Sequence, residues 1–287
     1  LVFSRLELTL EGSRYRVTKR DILNESQILL TPYVDDTRID VEALETFINE
    51  QYKTAKIRRE DVDTGALILT GVAVRRRNAR AIADLFAEEA GKFVAVSAGD
   101  GLEATMAAHG SGAVAHSEKM GGVVLNIDVG GGTSKFAICN NGKVQEVSAI
   151  DVGARLLAFD EDGAIVRIEE AGRKHAGWAG FSVALGEKIA EANLRRMVSG
   201  MVDKLFAMLK PQSITEDIKE LLRLSPLTYK GEIDCVMFSG GVSEFIYNRT
   251  KTSFGDLGPW IAEEVHKRTG DLGLLVMEPN ARIRATV

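Results

Sequence analysis

A glycine-rich segment is the part of the sequence best suited to chemistry. It reads Asp128-Val-Gly-Gly-Gly-Thr133, follows the apolar run Val123 to Ile127, and precedes a second strand-like run from Ser134. Glycine has no Cβ, so its backbone N–H groups can approach phosphate oxygens closely and its backbone can adopt angles that other residues resist. The predicted phosphate-binding glycines are Gly130, Gly131 and Gly132.

The polar residues at the two ends of this segment add to the phosphate-binding hypothesis. Asp128 at the strand end can hold Mg²⁺ through water molecules, because that ion keeps much of its hydration shell. Thr133 can add a hydroxyl hydrogen bond to the same phosphates. We therefore predict a nucleotide triphosphate as ligand, with ATP and Mg²⁺ as cofactors; the alternative is a tight glycine hairpin beside a solvated Asp.

A second glycine pair supports a nucleotide. Ser239-Gly-Gly-Val242 ends the apolar run from Ile233 to Phe238, and its glycines allow adenine or ribose to lie against the backbone. The residues predicted to bind the nucleoside here are Ser239, Gly240 and Gly241. Glu191 and Arg195 share one helix face and could also contact the nucleoside, although a solvated ion pair is the better explanation of their spacing.

Glu103 is the remaining candidate for catalysis. It begins a segment rich in small residues, Glu103 to Gly110, which suits a hinge between lobes. Its carboxylate could order an attacking water. A carboxylate at a helix N-terminus is also common for electrostatic reasons alone, so both interpretations stay open.

The elements that must position these residues follow from the hydrophobic pattern. Strands are predicted at Leu1 to Leu10, Tyr15 to Thr18 and Ile28 to Pro32, and a helix from Asp40 to Gln51. Two strand–helix units come next, and their predicted segments are Ala66 to Thr70, Asn78 to Ala90, Phe93 to Val96 and Leu102 to Ser117. Such alternation predicts parallel strands with crossover helices.

A second set of strands begins at Val123. Asn140-Asn-Gly142 predicts a hairpin between Ser134 to Cys139 and Val144 to Ile150, and Asp160 to Gly163 predicts another. A helix is expected from Gly186 to Leu209, with a buried stripe at Ala190, Leu194, Met197, Met201, Leu205 and Met208. The last elements expected are a strand at Ile233 to Phe238, a helix at Leu257 to Arg268 and a strand at Leu274 to Met277. The two halves share this plan, which suggests a duplicated fold with a cleft between lobes.

Composition limits the classes of function. The chain has 287 residues, 45% of them hydrophobic, and a net charge of −5, so we expect an ordinary globular protein that does not bind nucleic acid. Two isolated cysteines, Cys139 and Cys235, predict reduced buried thiols and argue against an iron–sulfur activator. The sequence contains neither an apolar run long enough to cross a membrane nor a GxxxxGK[ST] loop. Both ends lie within strand-like runs, so we expect the natural protein to continue beyond them.

These segments resemble the superfamily of actin, the Hsp70 ATPase domain and the sugar kinases. Asp128 to Thr133 is similar to its second phosphate loop, Ser239 to Val242 to its adenosine loop, and Glu103 to Gly110 to its first connecting helix. The resemblance implies an α/β, actin-like (ribonuclease H-like) duplicated two-lobe ATPase fold with mixed sheets, truncated at both ends. The lobes implied are residues 1–120 and 121–278, with 279–287 returning to the first lobe.

More narrowly, the chain resembles the ethanolamine ammonia-lyase reactivating factors over nearly its whole length. The resemblance is carried by Ile68-Leu-Thr-Gly71, Val96-Ser-Ala-Gly99, Gly110-Ser-Gly-Ala113, Asn126 to Thr133 and Asn280-Ala-Arg-Ile-Arg-Ala-Thr286. It implies an ATP-dependent, chaperone-like protein that releases damaged cobalamin from the lyase, so that adenosylcobalamin can enter. It also implies a cytoplasmic location, with association with a bacterial microcompartment as a further option.

The chain differs from the family's sequence pattern at two places, and two other functions are compatible with the fold. The family's first phosphate loop is expected just before Leu1, so ATP hydrolysis by these residues alone stays open. Thr70-Gly-Val-Ala73 stands where the family tends to have Thr-Gly-Glu-Thr. The rivals are a small-molecule kinase of the same fold, which needs a catalytic Asp as base, and an actin-like scaffold that binds nucleotide without turnover.

Overall fold

The computed structural model describes residues 1–29, 31–35, 38–69, 93–283 and 285, and divides them into two units, Leu1–Ser97 and Ala98–Val287. In the first unit the described strands form three two-stranded sheets. Its elements are β1 (Val2–Glu11), β2 (Arg14–Glu25), β3 (Tyr33–Asp35), β4 (Arg38–Ile39), α1 (Val41–Ala55), a 3₁₀ turn (Arg59–Asp61), β5 (Gly65–Leu69) and β6 (Phe93–Ser97).

The first unit confirms most of the predicted elements. The β1–β2 hairpin is antiparallel, β5 and β6 are parallel, and the Asp40 side chain caps α1 by accepting a hydrogen bond from the backbone N–H of Ala43 at 3.0 Å. The strand predicted at Ile28 to Pro32 is wrong. The described residues there are not in a strand, and Ile28 and Leu29 are exposed. The helix predicted at Asn78 to Ala90 lies outside the described residues.

The second unit is built on a five-stranded mixed sheet. Its strand order is β13-β12-β7-β8-β9, with β7, β8 and β9 antiparallel and with β12 and β13 parallel to β7. These strands are β7 (Val123–Val129), β8 (Ser134–Asn140), β9 (Lys143–Ile150), β12 (Cys235–Ser239) and β13 (Val276–Met277). The predicted Asn-Gly hairpin is confirmed, because Asn141 and Gly142 both have positive φ and join β8 to β9.

Helices and a small hairpin surround this sheet. The hairpin pairs β10 (Leu157–Phe159) with β11 (Ile165–Ile168), as predicted. The helices are α2 (Asp100–Gly110), α3 (Ala113–Met120), α4 (Glu170–Trp178), α5 (Glu191–Ala207), α6 (Glu216–Lys219), α7 (Ser243–Ile246) and α8 (Gly258–Asp271), with 3₁₀ turns at Ala154–Leu156 and Pro211–Ser213. Among these described elements, no helix is both long and apolar enough to span a membrane.

Two predicted helices have different limits in the structure. The helix expected from Leu102 to Ser117 is divided into α2 and α3, because Gly112 has a φ of +88°, which a continuous α-helix does not allow. The helix expected from Gly186 begins at Glu191, and Ala190 is exposed rather than part of the core stripe. The other five residues of that stripe are buried as predicted.

Alternation along the strands gives the sheet two different faces. The apolar face carries Leu125, Ile127 and Phe136, all fully buried in the main core with α5 and α8. The polar face carries the residues between them on β7, β8 and β12, and it packs against α2 and α3. Cys139 and Cys235 lie on the polar face as free, buried thiols, and burial raises the pKa of Cys139 to about 12.

The unit boundary and the predicted lobe boundary differ in position. The contacts divide the described chain between Ser97 and Ala98, so α2 and α3 are grouped with the five-stranded sheet on which they pack. The predicted lobe limits at residues 120 and 278 refer to the expected repeats of the fold rather than to contacts. They stay a prediction.

Candidate functional site

The glycine loop connects β7 to β8 at the carboxyl end of β7. The Gly130 N–H donates to the Thr133 carbonyl at 3.0 Å, which closes the turn. The carbonyls of Gly130 and Gly131 accept hydrogen bonds from the N–H groups of Ala154 and Arg155, at 3.0 and 2.6 Å. The loop is therefore held through its carbonyl oxygens.

The N–H groups on the same loop are in a different position. Within the described part of the chain, no hydrogen bond takes up the N–H of Gly131 or Gly132, and both residues are partly exposed. Unpaired N–H donors next to each other in a turn form a concavity that favours anions. The loop thus has the donors that a phosphate group requires.

Of the two reasons expected for glycine in this loop, the structure does not support the one based on backbone angles. None of the three glycines is among the described residues with positive φ, so a left-handed backbone does not explain them. A Cβ added at Gly131 would have its nearest neighbour, the Arg155 side chain, at 3.5 Å, an ordinary contact. By contrast, a Cβ at Gly153 would clash with the Gly131 carbonyl oxygen. Packing within the protein requires glycine at 153, whereas at 131 it leaves the loop surface free.

A row of polar side chains crosses the polar face directly below the loop. Ser239, Asp128 and Lys135 are register partners on β12, β7 and β8, so their side chains lie side by side. All three are buried. The Ser239 hydroxyl donates to Asp128 Oδ2 at 2.7 Å and accepts from Asn126 Nδ2 at 3.1 Å. Ligands of open α/β sheets bind outside the carboxyl ends of parallel strands, where Asp128 and Ser239 lie.

Helix α2 adds Glu103 to this row. Lys135 Nζ donates to Glu103 Oε1 at 2.6 Å, and both side chains are less than a tenth exposed. The structure thus places the predicted catalytic Glu103 beside the row that contains Asp128. Within the described ranges no three His, Cys, Asp or Glu residues form a metal-ligand cluster.

Burial controls the protonation of both carboxyl groups. It raises the pKa of Asp128, and hydrogen bonding from Ser239 and the positive charge of Lys135 oppose that effect. Burial also raises the pKa of Glu103, against the opposing charge and hydrogen bond of Lys135, and the charge of Asp128 raises it further. The two carboxylates therefore repel each other, and Lys135 is the charge that compensates them.

Two buried oxygens next to this row lack a hydrogen-bond partner. They are Glu103 Oε2 and Asn126 Oδ1, in residues that are 6% and 1% exposed. Buried polar atoms are nearly always hydrogen-bonded, and these two are acceptors. They fit a ligand that brings donors, such as a water molecule or the hydration shell of a cation.

In the predicted adenosine loop, contacts within the protein account for Ser239 and Gly240. The hydroxyl of Ser239 is engaged with Asp128 and Asn126 rather than open to a nucleoside. Gly240 has a φ of +82°, and a Cβ there would lie 2.5 Å from the Val129 carbonyl oxygen. Gly241 has more room, since its nearest neighbour would be Ile283 at 3.8 Å. A role for these three residues in nucleoside binding stays a prediction.

Glu191 and Arg195 are paired on the surface of α5. Arg195 Nε donates to Glu191 Oε1 at 2.9 Å, and the Arg195 guanidinium lies 4.6 Å from the ring centroid of Trp260 on α8. A second, longer contact reaches Glu263 at 3.3 Å. Both Glu191 and Arg195 are about half exposed or more, as the ion-pair interpretation expects.

Sequence reasoning did not find Lys135, Asn126 or Gly153. A signal was present for Lys135 and Asn126, since each interrupts an apolar strand at a position that alternation assigns to the same face as Asp128. Gly153 gave no such signal, because its close approach to the glycine loop depends on a contact across about twenty residues of chain.

The sheet order and the loops at its carboxyl edge define the class of protein. Three antiparallel strands followed by two parallel strands beside the first is the ribonuclease H-like arrangement, and the chain has the α/β, actin-like fold class. Its sequence matches the family model described as "Ethanolamine utilisation protein EutA" over residues 1–287. The chain belongs to that family.

Individual relatives agree with this membership. The chain is 34% identical to the ethanolamine ammonia-lyase reactivase EutA of Salmonella typhimurium and 33% identical to that of Escherichia coli. Both alignments cover all of this chain and 63% of the relative, so the chain spans less than two thirds of their length. Among solved structures it is similar to MreB5 of Spiroplasma citri bound to AMPPNP, with 16% identity, a TM-score of 0.44, and 96% and 78% of the two chains covered.

Proposed function

We propose that the full-length protein is an ATP-dependent reactivating factor for ethanolamine ammonia-lyase. In this proposal it binds ATP and Mg²⁺, releases damaged cobalamin from the lyase, and allows adenosylcobalamin to enter. It acts in the cytoplasm, including within a microcompartment there. The names of its curated relatives support the partner, and the geometry of the glycine loop supports the nucleotide.

The observation that carries the nucleotide is the pair of unused N–H groups in the loop. Gly131 and Gly132 present donors and no side chains, while the loop carbonyls are engaged with residues 154 and 155. Such a surface favours an anion with several acceptor oxygens. Thr133, buried beside Gly132, is the proposed hydroxyl donor to the same phosphate group.

The residues below the loop fit Mg²⁺ bound through water. Asp128 supplies one carboxylate, and the unpartnered Oδ1 of Asn126 is an acceptor for metal-bound water. When bound, Mg²⁺ would neutralise part of the phosphate charge. Ser239 holds the Asp128 carboxylate in place by donating to its Oδ2.

Glu103 is the proposed group that orders the attacking water. Its Oε1 is engaged by Lys135, which leaves Oε2 as the acceptor for a water proton. Its burial keeps bulk water away, and the raised pKa brings the carboxyl group closer to the range where it can take up a proton. Gly240, Gly241, Glu191 and Arg195 are retained as proposed nucleoside contacts.

Calorimetry on the full-length protein tests the nucleotide. We expect Asp128→Ala to lower Mg·ATP affinity by about 10- to 100-fold, since a charge-assisted interaction is lost. Asp162→Asn, at an exposed turn, is the matched control and should leave affinity unchanged. Unchanged affinity in Asp128→Ala, or no heat with any adenylate, would rule out this site.

Reactivation is tested separately, with lyase inactivated by cyanocobalamin. Full-length protein, ATP, Mg²⁺ and free adenosylcobalamin should restore lyase activity, and omission of ATP should prevent it. Binding of ATP without recovery of the lyase would reject the reactivation proposal and leave the nucleotide site standing. Phosphorylation of a small molecule, or filament assembly on ATP, would instead support the kinase or the scaffold.

A further inference from the structure

The least expected charge in the second unit is the ammonium group of Lys135. This lysine lies near the start of β8, an interior strand of the sheet, and only 2% of its surface is exposed. Lysine is almost never buried without a partner, because the desolvation of its charge is costly. Its position therefore requires a specific stabilising arrangement.

That arrangement is a bridge between two acidic groups from different elements. Lys135 donates to Glu103 of α2 at 2.6 Å, and its charge acts on Asp128, its register partner on β7. Glu103 and Asp128 would otherwise repel each other. The ammonium group joins helix α2 to the sheet at the level of the glycine loop.

The bridge also determines which oxygen of Glu103 remains available. Lys135 takes Oε1, and the second oxygen, Oε2, is buried without a partner. A carboxylate held by one oxygen has few rotamers left, so the direction of the other oxygen is fixed as well. Lys143, on β9, is by contrast exposed.

We propose that Lys135 is a positioning residue, which orients Glu103 so that its Oε2 faces the water used in nucleotide hydrolysis. The inference rests on the proposed function for the hydrolytic step. The pairing of residues 135 and 103 can be tested without nucleotide.

The first experiment is a double-mutant cycle by urea unfolding of the full-length protein without nucleotide. Lys135→Met and Glu103→Gln should each lower stability, and the double variant should lose clearly less than the sum of the two. Additive losses would show that the two residues are not coupled, which overturns the proposal.

The second experiment measures ATP hydrolysis by the same proteins. We expect Lys135→Met to lower kcat by about 100-fold, the size expected when a catalytic group is displaced by about 1 Å, with little change in KM. Lys135→Arg should recover part of the loss, and the exposed Lys143→Met is the control. An unchanged kcat, or equal losses in Lys135→Met and Lys143→Met, would overturn the positioning role.

The two experiments separate the two proposals. Coupling in the cycle with no nucleotide binding by the wild-type protein would overturn the proposed function and, with it, the hydrolytic role of Lys135. Nucleotide binding and hydrolysis without coupling would overturn only the inference about Lys135.

Discussion

On strand β7, Leu125 and Ile127 lie on the apolar face of the sheet, while Asn126 and Asp128 lie on the polar face. Neighbouring residues of one strand thus meet different surroundings. The apolar face is filled by side chains from α5 and α8. The polar face combines a small apolar cluster with a row of buried charges below the glycine loop. The comparison indicates that one face supplies the main core of the sheet, while the chemistry proposed for this protein lies on the other.

The largest loss of stability should come from a substitution on the apolar face of the sheet. Phe136 is fully buried, and we expect Phe136→Ala to lower the free energy of unfolding by about 3–5 kcal/mol. Asp128→Asn, on the polar face of the neighbouring strand, should change it by less than about 1 kcal/mol, because Lys135 keeps Glu103 as its charged partner and no buried charge is left uncompensated. Urea unfolding measures both. Similar losses in the two variants would contradict the division of roles between the faces.

A buried histidine tests whether the apolar side of the sheet is dry. His175 of α4 is buried, and its Nε2–H donates to the Asp151 carbonyl at 3.1 Å. Burial lowers the pKa of His175 to about 4. The charge of Lys204 lowers this pKa further, and the charge of Asp217 opposes that effect. The unfolded chain takes up the proton near pH 6.5.

The sign of the pH effect follows from these two pKa values. The unfolded state binds the proton first, so stability is present above about pH 6.5 and is lost as the pH falls toward about 4. The expected loss is about 3 kcal/mol, and His175→Gln should remove that pH dependence. His266→Gln, at an exposed position, should retain it. Equal pH profiles for the two variants would show that His175 is accessible to water.

A substitution in the glycine turn after β12 tests whether close packing requires glycine at that turn. Gly240 and Gly163 have nearly the same φ, +82° and +80°, but a Cβ at Gly240 would lie 2.5 Å from the Val129 carbonyl oxygen, and one at Gly163 would meet nothing within 4 Å. Both substitutions to Ala carry the cost of a left-handed backbone. We expect thermal unfolding to show an additional loss of about 2 kcal/mol for Gly240→Ala. Equal losses would mean that the turn can relax.

The smallest effect on stability is expected at the ion pair of Glu191 and Arg195, on the surface of α5. Arg195→Gln should change the free energy of unfolding by less than about 1 kcal/mol, as exposed ion pairs usually do. Glu263→Gln is the matched control on α8. A loss of ATP affinity in Arg195→Gln alone, measured by calorimetry, would instead support the proposed nucleoside contact.

The second unit was largely predictable because its signals are local. Apolar runs and the Asn-Gly turn determine β7, β8 and β9, and the triple glycine marks the loop between the first two. The break between α2 and α3 was missed because small residues continue through it with helix-compatible spacing. The strand expected at Ile28 to Pro32 was wrong because an apolar run predicts burial only if other elements cover it.

The loops of the candidate site could be predicted from the sequence, whereas the interactions between its charged side chains could not. Asp128 and Glu103 could be proposed from strand and helix ends. Their connection through Lys135 depends on the packing of α2 against β8, which joins residues 32 positions apart. A single sequence does not report such long-range pairs. The engagement of Ser239 with Asp128, 111 positions away, was missed for the same reason.

The segment near the end of the chain makes two bonds that have a mechanical consequence. The Asn280 N–H donates to the Ser111 carbonyl at 2.7 Å, and the Arg282 carbonyl accepts from the Gly240 N–H at 3.0 Å. Three consecutive residues thus tie the corner between two helices to the turn after a central strand. A shift of that corner would strain the turn unless one of these bonds breaks, so the positions of the corner and of the turn are linked through three residues.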